Sequence, residues 1–281
     1  MKPLFRLLQF VLLFLLMIML PTWVSATGPR IKQDIFAPNP NQIYALDFPP
    51  FVTTELPTGG IAVELVTNLL KAQSLDAVIN TLPVASMMKY YLLQEQALGL
   101  ITSHLQINKE EQKDLIYIPL LQIQQYFYYF QAKHPEGLPW NGDLKTLAHL
   151  SFGVNEHENL EPYKKAEINL QTGKNSALYE KLHAGQLDFI ADSPLTVNWY
   201  LDKHYLSEKT QFIKMQPKAG DELLYLIINK KHPQGDVIAK QFQMELGKML
   251  TNDQYNTLLT QQLGNGQKLT EIFSPLPVDS K

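Results

Sequence analysis

Four acidic positions and two aromatic ones are the residues most able to do chemistry. Glu111, Asp192 and the pair Glu156 and Glu158 would together make an acidic cleft suited to an amine or quaternary cation, with Phe48 and Phe51 offering ring faces to the same charge. The plainer reading stands beside it. Glu110, Glu111, Lys113 and Asp114 form the kind of charge run that a solvated helical turn carries, and Phe48 next to Pro49 fits a core position equally well. His104 beside Ser103, at the end of an expected strand, fits either a hydrogen-bonded structural histidine or a solute contact. The run Tyr126 to Phe130 reads as core and hinge packing, because no basic stripe accompanies the rings.

Other chemistries lack their motifs. His149, His157 and His183 form no H-x-x-x-H pair, and His204 and His232 stand apart, so no metal is expected. There is no G-x-S-x-G, P-loop or G-x-G-x-x-G, so neither catalytic residues nor a cofactor are expected. The 281 residues include no cysteine, which removes disulfides, thiolate nucleophiles and a lipidated N-terminal Cys. With 24 Lys plus Arg against 27 Asp plus Glu, nothing in the charge favours nucleic acid. A hydrophobic share of 45% supplies ample core for one large domain or two small ones.

Residues 1–26 have the three parts of a cleavable export signal. Lys2 and Arg6 lead, Phe10 to Leu20 is an unbroken apolar run of 11 residues, and Pro21 precedes Val24-Ser25-Ala26. That run is well short of the roughly 20 residues that span a bilayer. A bacterial periplasmic location without a lipid anchor is the expectation.

The elements that would position these residues alternate. Strands are expected at 42–48, 76–82 and 97–102, with helices at 61–72, where Leu65, Val66, Leu69 and Leu70 recur at helical spacing, and at 85–95. This β-α-β-α-β order implies parallel crossovers and an open α/β sheet, whose ligands bind beyond the strands' carboxyl ends. Residues 117–130 are strand-like for too long to make one ordinary strand and are read as a passage between lobes. Beyond them the pattern restarts. Strands are expected at 151–154, 167–170, 189–191, 212–215 and 223–228, helices at 144–149, 177–184, 194–201, 237–250 and 253–263, and a polar loop at 155–161. The last two helices would pack back on the first lobe. The expected division is residues 27–124 with 222–281 as lobe one and 125–221 as lobe two.

In order, ALDFPPF (Ala45 to Phe51), GGIAVELVTNLLKA (Gly59 to Ala72), GLITSHLQI (Gly99 to Ile107) with NKEEQKDLIYIPLL (Asn108 to Leu121), HLSFGVNE (His149 to Glu156) and ALYEKLHAGQLDFIADSP (Ala177 to Pro194) resemble the periplasmic solute-binding proteins of family 3. These are the bilobed type II receptors that feed polar amino acids and related solutes to ABC transporters. The resemblance covers nearly the whole exported chain. It implies a two-lobed α/β clamshell, each lobe an open, mostly parallel sheet flanked by helices, holding a small polar solute in the cleft between lobes. It also implies that Phe48 covers the solute and that Ser103, His104 and Gln106 supply polar contacts. Asn155, Glu156, His157 and Glu158 would form the opposing wall, and Asp192 or Ser193 would stand where a carboxylate binds the solute's ammonium. Partners implied are that solute (amino acid, amine or related) and an inner-membrane permease or sensor, with the receptor a monomer.

The sequence departs from the family in two places. An Arg that grips the solute carboxylate with two parallel hydrogen bonds is replaced at the matching position by Glu110 or Glu111, and a carboxylate cannot grip a carboxylate. A slip to Lys109 would restore a cation without the planar fork. The Asp192 spacing is one residue short of the family's pattern. Two other functions fit the same fold: a sensing or protein-interaction module without transport, or a dehydratase-like enzyme using Glu111, Asp192 and His104 for acid–base work.

Overall fold

A computed structural model describes residues 41–82, 86–93, 97–103, 108–155, 159–263 and 267–277. The expected export signal at 1–26 lies outside the described residues, as do His104, Gln106, Glu156, His157 and Glu158.

The first strand, β1 (Gln42–Leu46), is buried almost throughout. It stops two residues short of the expected end because Pro49 and Pro50 carry no N–H for a ladder. The chain turns there instead: Phe48 N–H donates to Val52 O at 2.8 Å and Val52 N–H returns to Phe48 O at 2.9 Å. Helix α1 (Ile61–Ala72) then starts directly after Gly60, with Leu65, Val66, Leu69 and Leu70 buried as their spacing predicts. Its first free N–H groups are taken by the same turn, Ala62 N–H by Phe51 O at 2.9 Å and Ile61 N–H by Pro50 O at 3.3 Å. Gly60 makes this possible. It sits at φ 101°, and a Cβ there would stand 2.6 Å from Phe51 O.

Strands β2 (Val78–Leu82) and β3 (Gly99–Thr102) flank β1, both parallel to it, with α2 (Ser86–Leu93) between them in the chain. After the short α3 (Lys109–Gln112) the chain enters β4 (Leu115–Phe130), 16 residues without a break. Residues 117–130 are therefore part of one long strand, and it does pass from one sheet to the other. The strand avoids unpaired backbone by changing partners midway. From Leu115 to Gln125 it pairs antiparallel with β9 (Gly220–Asn229), with a register shift between Pro119 and Leu121. Tyr126 to Tyr128 then pair with β7 (Phe189–Asp192), and Tyr128 to Phe130 with β8 (Phe212–Lys214). Strand β9 also pairs with β3, closing the first sheet in the order β2-β1-β3-β9-β4.

The second sheet runs β4-β7-β5-β6, with β5 (Ser151–Asn155) parallel to β7 and to β6 (Asn169–Gly173). Its helices are α4 (Glu161–Lys165), which begins at the last residue of the expected polar loop, α5 (Asn175–His183) and α6 (Pro194–His204). The C-terminal helices α7 (Gly235–Thr251) and α8 (Gln254–Gln262) return to the first sheet, where Ile238, Phe242 and Leu259 share a core with α1. A two-residue strand, β10 (Phe273–Ser274), pairs with β4.

The register decides where a site can be. Thr102 at the carboxyl end of β3 stands opposite Tyr225, which stands opposite Pro119. Asp192 at the carboxyl end of β7 stands opposite Tyr126. Both sheets therefore aim the carboxyl ends of their parallel strands at the stretch of β4 between Pro119 and Tyr126.

Replacing Gly60 with Ala should destabilise the protein by roughly 1–3 kcal/mol, from the positive φ and the close approach to Phe51 O. Urea melts of wild type and variant check this, and an unchanged midpoint would mean that the turn at residues 48–52 can move freely away from α1.

Candidate functional site

Asp192 is the last residue of β7 and only 6% exposed. Its Oδ1 accepts the Ser193 N–H at 2.7 Å and its Oδ2 accepts the Tyr179 hydroxyl at 2.9 Å. Among the described residues, no Lys or His forms an ion pair with it. Burial without a counter-charge pushes the Asp192 carboxyl up to about 7, with Glu222 adding to the rise and the Ser193, Tyr179 and Thr196 hydrogen bonds opposing it.

Tyrosines surround this carboxylate. Tyr179, fully buried on α5, stacks on Tyr200 of α6 with ring centroids 4.7 Å apart and planes at 23°. Burial and then the charge of Asp192 drive the hydroxyls of Tyr179, Tyr128 and Tyr200 above their ordinary range. The fields of Asp47 and Glu55 also reach Tyr200. Those two carboxylates come from the loop after β1, so Tyr200 lies between acidic groups of both sheets.

The same loop is tied to α6 directly. Lys203 Nζ bonds Glu55, and it also lies 4.1 Å above the Trp199 ring. Partial covering of Asp47 and the nearby Glu55 raise its carboxyl, against the Thr53 hydroxyl and Lys203. Leu195, on the first turn of α6, is buried in the first sheet's core. On the strand between the sheets, Gln125 Nε2 donates to Glu222 at 2.9 Å, and Lys214 Nζ lies 4.6 Å over the Tyr126 ring.

The expected site residues separate here. Asp192 is central. Ser193, 0% exposed, is an N-cap: its hydroxyl accepts the Thr196 N–H at 3.1 Å, which corrects any reading of it as a solute contact. Ser103 and Asn155 do lie at carboxyl ends, following β3 and ending β5, and Asn155 Nδ2 donates to Asn175 at 3.0 Å. Phe48 is half-buried against the first core, its ring 5.1 Å from that of Phe51. Phe51 is 0% exposed and packs edge-on against Phe273, so it is a core residue with no face for a solute. Glu111 is corrected too. Its carboxylate closes a capping box with Asn108 and pairs with Lys89 at 2.8 Å, so both oxygens are engaged by the chain itself.

This arrangement has solved counterparts. The GluR0 ligand-binding core from Nostoc punctiforme in complex with L-glutamate matches with a TM-score of 0.59 and 13% identity, over 79% of this chain and 98% of that one. An arginine 3rd transport system periplasmic binding protein from Legionella pneumophila matches at 0.58 and 14%, over 79% and 98%. The second substrate binding domain of a putative amino acid ABC transporter from Streptococcus pneumoniae matches at 0.53 and 16%, over 79% and 100%. The chain has the two-lobed type II periplasmic binding protein fold. No protein-family model and no curated protein matches the sequence. The two sheets are thus the two lobes of the type II fold, and Lys203 of the second meets Glu55 of the first. No helix among the described residues is long and apolar enough to cross a membrane.

Asp47, Glu55, Tyr179, Tyr200 and Lys203 were not expected from sequence. Only Asp47 carries a local signal, its place at the end of β1. The rest meet through contacts between distant segments.

The sign of the pH effect at Asp192 follows from its raised value. Between 3.8, the ordinary carboxylate value, and about 7 the folded chain keeps a proton that the unfolded chain has released. This group's contribution to stability is therefore full below that range, falls as pH rises through 7, and levels above it. The difference is worth on the order of 4 kcal/mol. Asp192→Asn should gain stability relative to wild type between pH 5 and pH 8 in chemical denaturation. If the two proteins track each other across that range, burial does not disfavour the Asp192 charge.

Proposed function

We propose that the chain is an exported, non-enzymatic solute receptor that closes its two lobes over a small polar solute whose ammonium sits against Asp192. The observation that carries this reading is the buried Asp192 carboxylate at a strand's carboxyl end, ringed by tyrosines, beside the one ion pair described between α6 and the loop after β1. Residues 1–26 would be removed on export to the periplasm. Residues 27–124 with 222–281 would move as one lobe and 125–221 as the other, with β4 and β9 as the hinge. Ser103 and Asn155 contribute polar contacts and Phe48 an apolar one. Delivery is to an inner-membrane permease or sensor, and the receptor works as a monomer.

Closure has a mechanical reading here. The Lys203–Glu55 side chains are 34% and 57% exposed, so the pair contributes at most about 1 kcal/mol. It biases the lobes toward closing without holding them shut. A solute that contacts both lobes supplies the rest by stabilising the closed state.

Trp199 reports on this contact. In a Trp140→Phe background, a bound solute should change Trp199 emission, and Glu55→Gln should weaken apparent affinity by up to about 5-fold with no change in the solute preferred. A broad panel of amino acids, amines and organic acids that leaves Trp199 emission and thermal midpoint unmoved would sink the receptor reading in favour of a sensing or interaction module.

A further inference from the structure

The site described above is supplied with negative charge and has few free groups to bind an anion. Arg6 and Arg30 are the sole arginines of the sequence, so no guanidinium occurs anywhere in the described residues. Of the two ammonium groups described near the site, Lys203 is paired with Glu55 over the Trp199 ring, and Lys214 lies over the Tyr126 ring. Helix N-termini are the other common carboxylate binders, and here the chain caps those of α1 and α6 itself. Pro50 O and Phe51 O take the first N–H groups of α1, while Ser193 takes the Thr196 and Val197 N–H groups of α6. Helix α5 starts after β6, the edge strand two places from β7.

Against these stand four carboxylates. Asp192 is nine-tenths buried with no ion pair among the described residues, and Glu222 adds its field. Asp47 and Glu55 face the same tyrosine from the other lobe. Among the described residues, these carboxylates outnumber the two ammoniums by two. Tyr200, half-buried and stacked on the buried Tyr179, lies in the field of Asp192, and an aromatic face attracts a desolvated cation and does nothing for a carboxylate.

We infer that the solute is an organic amine that carries no carboxylate, its ammonium lodged between Asp192 and the ring of Tyr200. This rests on the receptor reading above. An α-amino acid would bring a carboxylate into a site where the described carboxylates already outnumber the described ammoniums and no guanidinium stands among the described residues. A mono- or diamine would bring only the charge that the site lacks.

The test compares amino acids with their own decarboxylation products: L-lysine with cadaverine, L-ornithine with putrescine, and L-arginine with agmatine, each titrated calorimetrically into the purified protein at pH 8. The expected result is that at least one amine binds 10-fold or more tighter than its parent amino acid. Asp192→Asn should lose that binding by 10-fold or more while keeping wild-type circular dichroism. Tyr200→Phe should keep it and Tyr200→Leu weaken it, so the inference stays testable should the Asp192 variant fold poorly. An amino acid that binds tighter than its amine overturns the inference and leaves the receptor reading intact. Amine binding that Asp192→Asn and Tyr200→Leu leave unchanged overturns the assigned site. Silence from every member of every pair overturns the inference and weakens the receptor reading with it.

Discussion

Strand β4 is the constraint on which the rest of the molecule depends. It is hydrogen-bonded to β9 along its first part and to β7 and β8 along its last, so one extended segment belongs to both sheets. A hydrogen-bonded strand cannot slip by one residue without turning every side chain to the opposite face. The register that sets Thr102 level with Tyr225 and Asp192 level with Tyr126 therefore also fixes which ends of the two sheets look at each other. The buried alternation of Ile118, Leu120, Leu121 and Ile123 holds the first half in place, and Tyr126, Tyr128 and Phe130 hold the second. Functional side chains need not be close in sequence, because this strand brings the ends of β1, β3, β5 and β7 to one place.

The electrostatics follow from that placement. A carboxylate at the end of a central strand, covered by two helices, loses its water, and nothing cationic among the described residues replaces it. Asp192 receives an N–H and a phenol hydroxyl instead. Those hydrogen bonds are enough to keep the group ordered and not enough to restore its ordinary acidity. Asp188, at the other end of the same run, shows the contrast. It holds Lys133 at 2.6 Å, His134 at 2.8 Å and the Ser151 N–H, and these partners outweigh its burial to bring its carboxyl below the ordinary range. Two aspartates four residues apart thus differ because one has its cation within the chain and the other does not.

How much of this was legible in the sequence depended on whether the signal was local. Helix α1 was readable because two glycines precede a repeat of apolar residues at helical spacing. Strand β4 misled by its length, since no turn residue marks the change of partner and Pro119 is absorbed by a register shift. Helix α4 was missed because none of its residues is buried, leaving no apolar stripe. At the site, the segment LDFIADSP pointed to Asp192, while Ser193 beside it is a cap whose own signal is the Pro that follows. Glu111 was misplaced although Asn108-x-x-Glu111 has the spacing of a capping box, a local role sufficient to account for it. Tyr179, Tyr200 and Lys203 had no such signal, because what makes them a site is a neighbour far along the chain.

Two unequal energies then divide the work of closure. The exposed Lys203–Glu55 pair is worth at most about 1 kcal/mol and weakens with salt. The unfavourable burial of the Asp192 charge is on the order of 4 kcal/mol above pH 7. A contact of the first size cannot hold two lobes together alone, and a strain of the second size is relieved only by a proton or by a cation brought from outside. On the proposed reading, a ligand ammonium entering between the lobes would meet Asp192 and the ring of Tyr200 in the second, and Asp47 with Glu55 in the first. Its interaction would then be stronger with the lobes together than apart, which is the property that lets a ligand shift such an equilibrium. Removing the buried charge would leave a more stable protein with less reason to close.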